Sequence, residues 1–183
     1  KPDLVHVWGT ENFYGLMSEK IDVPVLIRFQ GLLSVIVDDY WGGIKFREML
    51  SMPNEIIYYF DVRKRAKNEI KIIKQNKFLE GRTLWDHSHL REHNTSAPYY
   101  DIPVLMRPSF YKPEWSNEKK KKHLVYVTAR SQPLKGNSCL IKAIRIVRNY
   151  VPDVKLRIGG HIANSGYGRY LRRLVSSLGL DDC

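Results

Sequence analysis

The sequence predicts an α/β protein with parallel sheets, arranged as two pieces that are both incomplete. Short apolar runs alternate with segments of helical period along all 183 residues. The apolar runs are rich in Val, Ile and Leu without strict alternation, as expected for parallel strands covered on both faces. A stretch rich in proline and lysine separates two such series, which indicates two Rossmann-like pieces joined by a linker.

The first piece combines short strands with one long amphipathic helix. Its strands are expected at residues 4–8, 23–29 and 77–79, and its helices at 12–19 and 54–75. The long helix carries an apolar stripe formed by Tyr59, Val62, Ala66, Ile70 and Ile73. Thr83 and Asp86 have the spacing of an N-capping pair, so a further helix is expected to begin near Thr83.

A second strand-helix series follows the proline-rich and lysine-rich stretch. Its strands are expected at 124–128 and 155–158, and its helices carry the apolar stripes Leu140, Ala143, Ile144, Val147, Val151 and Leu171, Leu174, Val175, Leu178. We therefore assign residues 1–112 to the second half of one domain, 113–122 to a linker, and 123–183 to the first half of another. The chain opens without Met, so we expect it to be a piece of a longer protein.

The chain is strongly basic, with a formal net charge of +11 from 30 basic and 19 acidic residues. Nucleic acid, an anionic membrane surface or a phosphorylated substrate could each use such an excess. Its sharpest cluster, residues 119–122, is interpreted as a solvated linker. Because no nucleic-acid-binding signature accompanies it, we expect no nucleic-acid partner.

Cysteines and histidines give no strong sign of a disulfide framework or a metal site. Cys139 and Cys183 are too few for a framework, which favours a reducing, cytoplasmic compartment, and Cys139 is expected to be a small core residue. His87, His89 and His93 cluster, but no Glu directly follows His89 as a zinc-protease motif requires. We expect solvated helix histidines and no metal.

Polar residues beside glycines follow three strands of the first piece. These candidate residues are His6, Gly9, Thr10 and Glu11 after the first strand, Gln30 and Gly31 after the second, and Arg82, Thr83 and Asp86 after the third. Because ligands bind at the carboxyl ends of parallel strands, the three loops together predict a binding edge. Taken alone, His6 is better explained as a core histidine with satisfied hydrogen bonds.

The second piece carries Arg130 and Lys135 after its first strand, just before a helix that opens at Gly136. A guanidinium, an ammonium and the free N–H groups of a helix start can converge on one diphosphate. The alternative is two exposed cations on a loop. A Walker loop and a dinucleotide fingerprint are both absent from the sequence.

The ordered set of motifs resembles the family-4 retaining glycosyltransferases of GT-B fold, in the bacterial branch that makes surface polysaccharides. The residues that carry the resemblance are 2–11, Pro24-Val25 through Gln30–Leu33, 81–86, 107–111 with Trp115, Arg130 through Gly136, 152–160, and 167–171 with 178–182. The motifs occur in the family's order over nearly the whole chain. The resemblance implies two Rossmann-like pieces of a GT-B architecture.

The resemblance also implies transfer of a sugar from a nucleotide-sugar donor with retention of anomeric configuration. Arg130 and Lys135 then hold the donor diphosphate with Gly136 and act catalytically by stabilising the departing nucleotide, without a metal or other cofactor. The family's Glu-x7-Glu segment for the sugar and ribose is expected beyond Cys183. Ala129 stands where relatives often have Gly before the arginine.

The first piece is expected to hold the acceptor, a glycan or a lipid-linked glycan, at the loops that begin with His6 and Gln30. Many relatives have His where this chain has Gln30, and glutamine does not titrate, so a hydrogen-bonding role is expected. The enzyme is expected in the cytoplasm, peripheral on the anionic inner face of the plasma membrane. The alternative is a basic α/β module that binds nucleic acid or membrane without catalysis.

Overall fold

The computed structural model describes residues 2–112, 116–128, 130–160 and 164–183. The contacts divide the chain into two compact units. The first contains Lys1–Asp38 and Tyr59–Lys112, and the second contains Asp39–Tyr58 and Pro113–Cys183. Residues 113–115 of the expected linker, including Trp115, lie outside the described residues, as does Ala129. Each unit is described by itself.

Both units are built from parallel strands and helices. The strands are β1 (Val5–Trp8), β2 (Val25–Arg28), β3 (Phe78–Gly81), β4 (Tyr99–Asp101), β5 (Leu124–Thr128) and β6 (Lys155–Gly159). The α-helices are α1 (Leu33–Ile36), α2 (Phe46–Met49), α3 (Pro53–Gln75), α4 (Leu84–His93), α5 (Asn137–Val147) and α6 (Gly166–Ser177). The described 3-10 turns cover Phe13–Lys20, Pro108–Tyr111, Asn117–Lys119 and Pro133–Lys135.

The sheet of the first unit has the strand order β1-β2-β3-β4, with every neighbouring pair parallel. Its core lies on one face, where Val7, Ile27 and Leu79 pack with residues of α3 and α4. The predicted apolar stripe of α3 is confirmed at Val62, Ala66 and Ile73, which are buried. The stripe also contains a charged residue, Glu69, which is fully buried.

The segment expected as a helix at 12–19 is a 3-10 helix, Phe13–Lys20, and it packs closely on α3. An added Cβ at Gly15 would lie 2.6 Å from the Cγ2 of Ile72. Only glycine therefore fits at this contact. The side chains of Gln75 and Asn76 donate hydrogen bonds to the Gly15 carbonyl, at 3.3 and 3.2 Å.

The second unit has a two-stranded parallel sheet of β5 and β6, with its core formed by α5, α6 and residues from 39–58. Our assignment of residues 39–58 to the first piece is corrected by the contact pattern. Ile44 and Met52 are buried in the core of the second unit, and an added Cβ at Gly166 would lie 3.1 Å from the Met52 Cα. The rest of the linker and domain assignment stays a prediction.

The apolar stripe predicted for α5 is confirmed in part. Ile144 is buried and Val151 packs against the core, but Ala143 and Val147 are exposed and Ile141 is buried instead, so the buried face is rotated relative to the prediction. The rotation also leaves Cys139 exposed rather than in the core. Buried Asn137 and Ser138 occupy the core-facing positions of the first turn. Strand β5 is also less covered than predicted, because Val125 and Tyr126 are exposed in this narrow sheet.

The predicted fold class is confirmed, since β1, β2, β3, β5 and β6 form parallel sheets connected through helices. Within the part of the chain that the structure describes, no helix combines the length and apolar character needed to cross a bilayer.

Candidate functional site

The structure brings the exit loops of β1, β2 and β3 together at the carboxyl edge of the first sheet. Backbone hydrogen bonds continue the strand pairing into these loops, from Gly9 N–H to the Arg28 carbonyl at 2.8 Å and from Phe29 N–H to the Glu80 carbonyl at 2.9 Å. These hydrogen bonds fix the residue at which each loop begins. The loops therefore leave the sheet side by side, at the edge where open α/β sheets bind ligands.

The buried carboxylate of Glu69 on α3 holds the first two loops. Its Oε2 accepts hydrogen bonds from the Thr10 hydroxyl and from the Leu33 N–H, the latter at 3.2 Å. Its Oε1 accepts from the Ser34 N–H at 2.9 Å and from the Ser34 hydroxyl at 2.7 Å. Every one of these donors lies in the loop after β1 or at the start of α1. One side chain therefore sets the positions of both loops.

The third loop is fixed by a helix cap and by a contact with the second loop. The Thr83 hydroxyl accepts a hydrogen bond from Asp86 N–H at 3.1 Å, which confirms the predicted N-cap of α4. The Asp86 carboxylate in turn accepts from the Arg82 N–H at 3.0 Å. The Arg82 guanidinium donates to the Gln30 carbonyl at 2.7 Å, so it ties the exit loop of β3 to that of β2.

Position 9 requires glycine. Its φ is +88°, and an added Cβ would lie 1.9 Å from the Oε2 of Glu11, which folds back over this turn. The Glu11 carbonyl accepts a hydrogen bond from the Arg65 guanidinium of α3 at 3.3 Å. Gly31, in contrast, has an ordinary φ, and its nearest contact for an added Cβ is Ile36 Cδ1 at 3.6 Å.

His6 lies within β1 rather than in the loop, and it belongs to a charged cluster on the sheet. Its Nε2 is 2.9 Å from Glu80 Oε2, and its Nδ1 accepts a hydrogen bond from Trp8 Nε1–H at 3.1 Å. Glu80 forms an ion pair with Arg28, and both side chains are buried. The Arg28 guanidinium also lies 4.8 Å from the centre of the Trp8 ring and donates to the Ile102 carbonyl at 3.1 Å.

The environment keeps His6 neutral near pH 7. Burial, followed by the positive charge of Arg28, lowers the pKa of His6 from its ordinary value. Glu80 is paired with Arg28, and this pairing offsets most of the negative charge that would otherwise stabilise a protonated imidazole. Because Nδ1 accepts from Trp8, the neutral ring carries its proton on Nε2, facing Glu80.

In the second unit, the loop after β5 closes on the start of α5. The Arg130 carbonyl accepts hydrogen bonds from Gln132 N–H at 2.9 Å and from the Asn137 side-chain amide at 3.1 Å. Gly136 has φ +71° and ψ +12°, a left-handed conformation that lets the Pro133–Lys135 turn pass directly into α5. Arg130 precedes this turn, Lys135 is its last residue, and both are exposed.

The predicted candidates divide into supporting and accessible residues. Gly9, Thr10 and Asp86 are buried, and the Thr10, Thr83 and Asp86 side chains make hydrogen bonds within the fold. The exposed candidates are His6, Gln30, Arg82 and Thr83 in the first unit and Arg130 and Lys135 in the second. The amide and cationic side chains among them are those of Gln30, Arg82, Arg130 and Lys135.

Sequence reasoning missed Glu69, Glu80 and Arg28. One signal was available for Glu69, which lies three residues after Ala66 and four before Ile73, on the buried stripe of α3. A carboxylate on a buried stripe needs hydrogen-bond donors, and that requirement predicts polar partners in nearby loops. Arg28 is the last residue of β2 and Glu80 the next-to-last of β3, and the two residues are direct neighbours across these strands, where an ion pair is expected.

The parallel sheets and the helices between them define an α/β fold of the GT-B type. The solved structure of sucrose-phosphate synthase from Thermosynechococcus elongatus matches with a TM-score of 0.65 and 14% sequence identity. The match covers 98% of this chain and 43% of that chain, so this chain spans less than half the length of that protein. No family model and no curated protein matches the sequence. The likeness confirms the fold, while membership of family 4 stays a prediction.

Replacing Glu69 with Ala should lower the free energy of unfolding by about 3 kcal/mol, because it leaves several buried donors without an acceptor. Urea denaturation followed by circular dichroism measures the loss. Asp61→Ala on the same helix is the matched control, since its ion pair with Arg65 is largely exposed and should contribute less than about 0.5 kcal/mol. Equal losses in the two variants would contradict the role given to Glu69.

Acidification should protonate His6 only below the ordinary histidine pKa of about 6.5, because burial and Arg28 oppose its charge. As the pH falls, this histidine is therefore protonated in the unfolded chain before it is protonated in the folded chain. The stabilisation from neutral His6 is therefore present above about pH 6.5 and is lost as the pH falls through the lower pKa of the folded state. An NMR titration of the His6 ring measures the midpoint, and a midpoint above 6.5 would show that Glu80 dominates instead.

Proposed function

We propose that the chain is part of a glycosyltransferase that moves a sugar from a nucleotide-sugar donor to a glycan or lipid-linked acceptor, with retention of configuration. The observation that carries the proposal is the loop from Arg130 to Gly136, which leads from a parallel strand into the start of α5. The fold shared with sucrose-phosphate synthase supports glycosyl transfer as the general activity.

The donor diphosphate is proposed to bind at the start of α5. The first backbone hydrogen bond of α5 runs from the Leu140 N–H to the Gly136 carbonyl, at 3.0 Å. The N–H groups of residues 137–139 come before this bond, so they need acceptors from outside the helix. The helix dipole adds partial positive charge at the same point. Arg130 and Lys135 precede it in the loop after β5, and a guanidinium can form two parallel hydrogen bonds to phosphate oxygens.

The proposed catalytic role of Arg130 and Lys135 is electrostatic. As the bond between the sugar and the diphosphate breaks, negative charge grows on the departing nucleotide. Fixed positive groups stabilise that charge more strongly than they stabilise the bound donor, which lowers the barrier. This chemistry requires no proton transfer from either cation. It is also consistent with our expectation that no metal or other cofactor is needed at the donor diphosphate.

The acceptor is proposed to bind the first unit at the edge formed by the exit loops of β1 to β3. Gln30 and Arg82 are exposed there, and the Arg82 contact to the Gln30 carbonyl holds the two loops at a fixed separation. Hydroxyl groups of a glycan suit an amide and a guanidinium as hydrogen-bonding partners. His6, Gly9, Thr10, Glu11, Gly31, Thr83 and Asp86 then support this edge from the sheet, the turns and the cap.

Membrane association is proposed to be peripheral and electrostatic, from the cytoplasmic side. A formal charge of +11 attracts anionic lipid, at roughly 1 kcal/mol for each engaged Lys or Arg near the surface. A lipid-linked acceptor would reside in the same membrane. The competing function, a basic module without catalysis, would bind polyanions through general charge and would lose affinity steeply with salt.

The chain should bind a nucleoside diphosphate weakly, with a Kd near about 1 mM, because only the diphosphate part of the donor site is proposed to lie within it. Lys135→Ala and Arg130→Ala should each weaken this binding by about ten- to a hundredfold, as loss of one charge-assisted contact does. Isothermal titration calorimetry or ligand-observed NMR measures the change.

Lys120→Ala is the matched control, since it removes one exposed positive charge outside the loop after β5. It should leave nucleotide binding unchanged. If the control weakens binding as much as Lys135→Ala does, general basicity explains the affinity and the proposed diphosphate site is wrong. In the complete enzyme, the same three variants should rank in the same order in nucleotide-sugar turnover.

A further inference from the structure

Three potential metal ligands meet on the last turn of α4. His89, Glu92 and His93 each present one ligand atom, and these atoms all lie within 4.8 Å of one another. The spacing i, i+3, i+4 places the three side chains on one face of the helix. The two imidazole rings meet edge to face, with their centres 5.0 Å apart. We had expected solvated histidines here, yet the His89 side chain is only 13% exposed.

The hydrogen bonds around His89 define which ring nitrogen is free. The Ser34 hydroxyl donates its only proton to the Glu69 carboxylate at 2.7 Å, because a carboxylate can only accept. At its 2.9 Å contact with His89 Nε2, the same hydroxyl must therefore accept. Nε2 then carries the proton, and in the neutral ring Nδ1 has a lone pair available for a cation.

This arrangement is the one that supports a metal-bound histidine. Ligating histidines nearly always donate their other ring N–H to an oxygen, which fixes the tautomer and the ring orientation. Here His89 donates to Ser34, and Ser34 donates to Glu69, which is itself fully buried. The ring of His89 is therefore held in place before any ion binds.

The separation of the ligand atoms also suits one small cation. His89 Nδ1 lies 3.6 Å from Glu92 Oε2, which is too long for a hydrogen bond. Two tetrahedral zinc ligands with bonds of about 2.0–2.2 Å are separated by roughly 3.4 Å. A nitrogen lone pair facing a carboxylate oxygen at this distance is repulsive, and an intervening cation removes that repulsion.

We propose that His89, Glu92 and His93 bind one Zn²⁺ ion or a divalent cation of similar chemistry, with water in the fourth position. Imidazole with a carboxylate suits such ions, whereas Mg²⁺ prefers oxygen ligands alone. The site is separate from the proposed diphosphate loop and lies in the other unit. Through Ser34 and Glu69, the bound ion would stabilise the loops that follow β1 and β2.

Zinc titration of the chain by isothermal titration calorimetry tests the proposal, with Mg²⁺ as the comparison ion. We expect saturable binding of one Zn²⁺ and no comparable binding of Mg²⁺. His93→Ala should abolish this binding. His87→Ala is the matched control on the same helix, because His87 Nε2 already accepts from Arg91 at 3.1 Å and its ring stacks on Tyr99 at 4.5 Å.

Ser34→Ala tests the supporting hydrogen bond, and it should weaken zinc binding by about ten- to a hundredfold. Circular dichroism checks that each variant is folded. Zinc should also raise the Tm of the wild type and not that of His93→Ala. Equal zinc binding by the wild type and a His89→Ala/His93→Ala double variant would overturn the proposal, because the ion would then bind elsewhere. Absence of saturable zinc binding by the folded wild type would overturn it as well.

Discussion

The carboxylate of Glu69 is the interaction on which the binding edge of the first unit depends. It is fully buried in α3, yet it accepts hydrogen bonds from the loop after β1 and from the start of α1. A buried charge is tolerated only when its hydrogen bonds are made, so the loops and the helix determine each other's positions. The accessible Gln30 and Arg82 lie next to this fixed network, and His89 is joined to it through Ser34. The proposed acceptor edge and the proposed metal site therefore share one support.

In the second unit, the loop proposed to bind the diphosphate is held by backbone conformation. Gly136 adopts a left-handed conformation that turns the loop after β5 into α5, and the Asn137 side chain closes the loop on the Arg130 carbonyl. Residues 39–58 complete the core beneath α6, although they come from the earlier part of the chain. The helix start is therefore held by a packed core, and its exposed cations are free to meet an anion.

Local patterns allowed much of this fold to be predicted. Continuous apolar runs located β1, β2, β3, β5 and β6, and the Thr83–Asp86 spacing located the start of α4. The predictions failed where the structure depends on contacts between residues that are far apart in the sequence. The three residues of β4 are too few for a periodic signal, the burial of 39–58 depends on a core far along the chain, and α5 is rotated because Asn137 and Ile141 face that core. His89 of α4 is held by Ser34, and no local spacing connects these two residues.

The central claim is that the start of α5 binds the diphosphate of a nucleotide sugar. The most direct measurement is a map of backbone amide NMR shifts as a nucleoside diphosphate is added to the chain. The account predicts that the largest shifts occur at Asn137, Ser138 and Cys139, because their N–H groups open α5 and precede its first backbone hydrogen bond. Shifts concentrated at Gln30 and Arg82, or spread evenly over the lysines, would contradict it.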